Sequence, residues 1–318
     1  MRRSALLTLA ALALGLAADP VAAQQKTIGM AVPNLASSFW ISAVYGAEDQ
    51  AKKEGVMLLK LNAGGDANTS QQISQIQDLI QRRVDAIIVG ATNGDGIKAV
   101  VEQAIERGIP VIGISSPPNT TKLASMVSAD HYDMGRLQAE CLGKAMGGRG
   151  SVAMMAGPAG QAWADLRAKG FRETLAKEGG TVKVVAESRL ADNRNAALTT
   201  AEDWAQRFPD ITGVYAATDD MAAGVISAFK DAKRIPGVKV SASNLSPTAQ
   251  DLIKSGDLAC TSIQQIVAQG RAALSQANNA ASNRPVQATV VTPALLVTAD
   301  NLAAIDLSSV VAPNDYRP

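Results

Sequence analysis

Histidine, cysteine and aromatic residues are scarce in this chain of 318 residues: one histidine, two cysteines and 3% aromatics. The single histidine, His131, removes most histidine-based catalysis and metal binding from consideration. Cys141 and Cys260 alone can neither staple a mini-protein nor build a four-cysteine zinc site. An excess of charge is also missing, with 30 basic against 29 acidic side chains. A phosphate-binding surface needs a marked cationic excess, so nucleic acid is not an expected partner. A hydrophobic fraction of 47% excludes a disordered chain and suffices for about two domains, each with its own core.

What is present begins with a targeting signal. Arg2 and Arg3 precede an apolar run from Ala5 to Ala18, about 14 residues and too short to span a bilayer comfortably. The small residues Val21-Ala22-Ala23 suit a signal peptidase, so residues 1–23 are expected to be a signal peptide cleaved before Gln24. No cysteine lies beside that position to take a lipid. Nothing later in the chain is apolar for long enough to cross a membrane. The expectation is an exported periplasmic protein.

From Thr27 onward, β-branched and apolar runs alternate with helical patterns. Ile73, Ile76, Ile80 and Val84 form one apolar helical stripe, and Asp85 to Val89 reads as a strand buried on both faces. The second half repeats the plan. Residues 85–96 echo residues 210–221, each with an acidic residue before a buried strand and a polar loop after it. The fold class is therefore α/β, two Rossmann-like lobes whose mostly parallel sheets carry helices on both faces. Ligands in such sheets bind beyond the carboxyl ends of the strands. No nucleophile elbow, phosphate-cradling glycine loop or dinucleotide fingerprint is present, which argues against an enzyme and against a cofactor. His131 reads as structural, and Asp219-Asp220 as a helix cap and its neighbour.

The order of five stretches, residues 26–32, 78–89, 108–112, 167–171 and 218–224, resembles the type I periplasmic solute-binding proteins, the ribose- and galactose-binding family. The resemblance covers nearly the whole chain after the signal. It implies two lobes, residues 24–129 plus 265–293 and residues 130–264 plus 294–318, joined by crossings near Ala129, Gln264 and Pro293 and closing like a hinge. It implies a ligand set drawn from the loops: Ser37, Phe39 and Trp40 after the first strand, Ser115 and Ser116 after the fourth, Trp163 and Arg167 at the first helix of the second lobe, then Thr218, Asn244 and Gln264. Phe39 and Trp40 match an aromatic pair that stacks on a sugar ring, and Arg167 an arginine that donates to the ligand.

Two positions depart from the sugar binders. Ser115-Ser116 stands where they carry an Asp-Arg pair, and Asn244 where an aspartate is common. Serine and asparagine are weaker, uncharged acceptors, so a cleft poorer in carboxylates is expected. The function implied is capture of a small polar solute, a sugar or polyol, for a membrane ABC permease, by a monomer. Phe39-Trp40 and the run from Gly157 to Trp163 also resemble the periplasmic trimethylamine-N-oxide sensor branch, whose partner is a membrane histidine kinase. Lactose-type repressors share the two-lobe fold, but their DNA-binding segment stands where this chain has its signal. For Cys141 and Cys260 the sequence does not show whether the Cα atoms come within bonding range, and two buried thiols are the commoner outcome.

Overall fold

The computed structural model describes residues 25–177 and 181–318. The expected signal peptide and the Gly179-Gly180 helix stop lie outside the described residues.

The first stretch runs β1 (Thr27–Val32), α1 (Ser38–Glu54), β2 (Met57–Asn62), α2 (Thr69–Gln81), β3 (Ala86–Val89), α3 (Lys98–Glu106), β4 (Val111–Ile114) and β5 (Ser125–Ala129). The second continues with α4 (His131–Ala145), β6 (Gly150–Met155), α5 (Ala162–Lys177), β7 (Val182–Ser188), α6 (Arg194–Arg207) and β8 (Ile211–Ala216). It is completed by α7 (Asp219–Asp231), β9 (Lys239–Ser243), α8 (Pro247–Lys254) and β10 (Cys260–Ile263). The chain then returns through α9 (Ile266–Ala281) and β11 (Thr289–Thr292) before β12 (Leu295–Val297) and two short 3-10 turns, Leu302–Ala304 and Leu307–Ser309.

These strands form two six-stranded sheets, ordered β11-β5-β4-β3-β1-β2 and β12-β10-β9-β8-β6-β7. All pairings are parallel except that of β12 with β10. The orders correspond strand for strand, β3 to β8 and β4 to β9, so the echo between residues 85–96 and 210–221 falls on equivalent strands. Central strands are apolar throughout because helices cover both faces: every residue of β3 and β4 is buried. The edge strand β7 instead has no fully buried residue, leaving even the adjacent Val184 and Val185 exposed. On α2 the apolar stripe buries Ile76, Leu79 and Ile80 against the first sheet. Late in sequence, α9 lays Ala273, Leu274 and Ala277 into the first lobe's core beside Ala43, Val44 and Ala47 of α1.

Several local features differ from the sequence reading. Helix α4 starts at His131, three residues earlier than its apolar pattern, because the Asp130 carboxylate caps it by accepting the Asp133 N–H. Helix α3 starts only at Lys98, since the Asn93 side chain holds a turn by accepting from the Gly96 N–H. Strand β11 was not expected. The sequence pattern predicts only a strand near Leu295 to Thr298 there; β11 and β12, on either side of Pro293, belong to different sheets. Cys141 and Cys260 are not free thiols: they form a disulfide between α4 and β10, with Cα atoms 6.6 Å apart.

The tail also departs from the expected division. Val310 is buried in the second lobe's core, but the residues after it cross back to the first. The Ala312 N–H donates to Ser42 Oγ at 3.0 Å, and the Tyr316 hydroxyl to Glu48 at 2.7 Å. The Tyr316 ring packs edge-on against Tyr45.

Candidate functional site

Between the carboxyl ends of the two sheets lies a cavity of about 520 Å³, lined by both lobes. That volume matches sites that enclose small organic ligands. All ten residues expected from the sequence reach its wall.

From the first lobe, the turn after β1 delivers Ser37 as the N-cap of α1 and then the two aromatic rings. Phe39 and Trp40 meet edge to face, with centroids 5.1 Å apart, and Trp40 is nearly buried. Gly90, just past β3, makes room for it: a Cβ there would stand 2.1 Å from the indole ring. After β4, Ser115 adopts a left-handed φ of 56°, and after the equivalent β9, Asn244 adopts 73°. Both turn the chain sharply at the strand end and set a small polar side chain on the cavity wall. Asn244 is already engaged, accepting from Gln264 Nε2, whose Oε1 in turn takes a bond from Gln269.

From the second lobe, α5 brings Trp163 and Arg167. Arg167 is not a solvated helix arginine, being 2% exposed. Close packing of α5 on α4 sets its depth, since a Cβ on Gly135 would come within 1.9 Å of the Arg167 carbonyl oxygen. Its guanidinium lies 4.9 Å over the Trp163 ring, donates from Nη1 to the Ala217 carbonyl at 2.9 Å, and from Nε to His131 Nδ1 at 3.3 Å. Burial and the nearby guanidinium hold the His131 imidazole down to about 3, so it stays neutral with Nδ1 free to accept. Arg167 is itself lowered by burial to about 10 and keeps its charge. Thr218, rather than Asp219, is the N-cap of α7, its hydroxyl accepting from the Met221 N–H.

The expectation of a cleft poor in carboxylates is corrected. Asp66, Asp192, Asp219 and Asp220 all line the cavity. They come from the loops before α2 and α6 and from the first turn of α7. Enclosure by the surrounding cavity wall, with Asp220, Asp219 and Asp66 nearby, pushes the Asp192 carboxyl up to about 7, against the hydrogen bond it accepts from Thr218, while the residue itself still faces solvent in the cleft. Asp66, Asp219 and Asp220 are also raised, each chiefly by desolvation; Asp219 is buried, whereas Asp66 and Asp220 still face solvent in the cleft. Sequence reasoning passed over Asp66 and Asp192 because they sit in loops after edge strands, where the only signal was position at a strand's carboxyl end.

Gln161 was missed as well. Projecting from the second lobe, it donates from Nε2 to the Thr92 carbonyl at 2.9 Å and accepts from Ser116 Oγ at 3.2 Å. Both partners belong to the first lobe, so this one side chain bonds the lobes across the mouth of the cavity.

Comparison with known proteins agrees with this architecture. A model of the periplasmic binding protein domain matches residues 28–285. The ribose import binding protein of Bacillus subtilis is 30% identical over 86% of this chain and 88% of its own. A xylitol-binding protein of Mycolicibacterium smegmatis is 31% identical over 87% of this chain and 78% of its own. Among solved structures, a carbohydrate transporter solute-binding protein from Agrobacterium radiobacter in complex with D-arabinose superposes with a TM-score of 0.86 at 26% identity, covering 91% of this chain and all of that one. Members of this family are solute-binding proteins and not enzymes. The chain, with two pseudo-equivalent lobes facing across a polar and aromatic cleft, belongs to the type I periplasmic solute-binding proteins of the ribose- and galactose-binding family.

Proposed function

We propose that the protein captures a small polar solute, a sugar or polyol, in the cleft between its lobes and delivers it in the periplasm to a membrane ABC permease. The observation that carries this reading is the cavity itself: aromatic faces from Phe39, Trp40 and Trp163 beside hydrogen-bonding groups from both lobes. Apolar C–H faces of a sugar pack on rings while its hydroxyls reach Arg167 and the carboxylates. The ten residues expected from sequence are the proposed contacts. Hinge segments near Ala129, Gln264 and Pro293 permit closure, and ligand that touches both lobes shifts the open–closed equilibrium toward the closed form. The monomer is the acting unit.

A sensor that binds a methylated amine and signals to a histidine kinase is the second reading. It draws on the same three rings, since methylated cations favour aromatic faces. Thermal-shift screening of residues 24–318 against pentoses, hexoses, polyols and trimethylamine N-oxide separates the two. Ligand at 100 times its Kd adds about 2.7 kcal/mol. Stabilisation by a sugar or polyol that Trp40→Ala abolishes is the expected result. Stabilisation by the amine oxide alone transfers the assignment to the sensor, and silence from every compound removes both.

A further inference from the structure

The charge of the cleft narrows the class of solute, an inference that rests on the cleft being the ligand site. Four carboxylates line the cavity, Asp66, Asp192, Asp219 and Asp220, against a single cation, Arg167. None of the four takes part in an ion pair among the described residues. The guanidinium, 2% exposed, spends its hydrogen bonds on the Ala217 carbonyl and His131, and Asp192 and Asp219 act on it only through space. Thr218 satisfies one oxygen of Asp192, and the Ser246 N–H one oxygen of Asp219. Arg194, which faces Asp220, does not line the cavity.

A metal ion is not the missing countercharge. No group of three or more His, Cys, Asp or Glu side chains converges as metal ligands among the described residues. The acidic groups surround a space of small-molecule size rather than a point. An organic cation reaches several of them at once, and the rings of Trp40 and Trp163 suit its C–H surface.

We propose that the solute carries a protonated amine beside its hydroxyls, an aminosugar or amino-polyol, with the ammonium set among Asp192, Asp220 and Asp66 and the hydroxyls toward Arg167. A neutral polyol leaves the mutual repulsion of the four carboxylates in place. An ammonium replaces the protons that otherwise quench it, so binding releases protons and tightens as pH rises through neutrality.

Isothermal titration at pH 7.5 and low salt with matched pairs, D-glucosamine against D-glucose and an amino-inositol against myo-inositol, tests the assignment. In at least one pair the amine binds tenfold or more tightly than its neutral counterpart, and Asp192→Asn cuts that advantage about tenfold by weakening the amine far more than the neutral compound. Equal or tighter binding of the neutral member in both pairs overturns the amine assignment and leaves the polyol reading standing. A preference for the amine that survives Asp192→Asn, Asp220→Asn and Asp66→Asn alike overturns the role given to the carboxylates. No binding by any of the four overturns the amine assignment and the polyol reading together.

Discussion

Replacing Gln161 by alanine removes the only side chain that hydrogen-bonds across the mouth of the cavity, among the described residues lining it. Two bonds are lost, to the Thr92 carbonyl and from Ser116 Oγ. Each contributes about 0.5–1.5 kcal/mol net, so the closed form loses about 2 kcal/mol against the open one. At 1.4 kcal/mol per decade, the closed-to-open ratio falls roughly 30-fold. Neither lobe's core is touched, because Gln161 is half-buried at the rim, and the melting temperature of the ligand-free protein should hardly move. Small-angle X-ray scattering of ligand-free wild type and Gln161→Ala reads the outcome directly. The variant's radius of gyration should rise as the lobes part, and ligand should dissociate faster. Ser116→Ala, which removes one bond of the two, should fall between them. Superimposable scattering curves for wild type and Gln161→Ala, with equal dissociation rates, would refute the assignment of closure to this side chain.

Three further outcomes follow from the same geometry. Cys141→Ser with Cys260→Ser opens a loop of 119 residues' separation, and loop-closure entropy puts the loss at up to about 4.9 kcal/mol, roughly 10 °C in melting temperature. Gly90→Ala places a methyl 2.1 Å from the Trp40 ring, which should cost about 1–3 kcal/mol, change tryptophan fluorescence and weaken ligand binding. For Asp192, whose folded carboxyl is raised to about 7 from an ordinary 3.8, the folded state holds the proton more tightly between those values. Its contribution to stability is therefore greatest below the unfolded pKa and is lost as pH rises from about 4 to 7. Asp192→Asn should flatten that part of the melting-temperature profile and leave the variant more stable than wild type at pH 8. A parallel pair of profiles would count against the assignment.

The fold was legible because parallel sheets write themselves plainly. Buried strands such as Ile87–Val89 are continuous apolar runs, and the helices between them carry stripes such as Ile76 and Ile80. Strand β11 escaped because Val290 and Val291 sit at an edge, where only half the residues need be apolar and the pattern is weak. At the site, residues fixed by strand ends or helix starts were readable, Trp40 and Arg167 among them. Residues whose role depends on lobe meeting lobe were not. Gln161 is an ordinary polar loop residue until Thr92 and Ser116 come opposite it. Asp66 and Asp192 lie far apart in sequence and share one cavity only after both lobes have folded and met. Ser115, Ser116 and Asn244 carry no carboxylate, but the expected shortage of carboxylates did not follow because Asp66, Asp192, Asp219 and Asp220 reach the cavity from other loops and from the start of α7.

The return of α9 and β11 to the first sheet also sets an order of assembly. The second lobe's five parallel strands come from one unbroken stretch, β6 to β10, and can pair as soon as it exists. The first lobe cannot finish when β5 is made. Ala43, Val44 and Ala47 on α1 have no cover until Ala273, Leu274 and Ala277 arrive on α9, and β5 keeps a bare edge until β11 joins it. The first lobe therefore stays incomplete until nearly the whole chain has been made, and its sheet and core close only after the last long helix and β11 have followed.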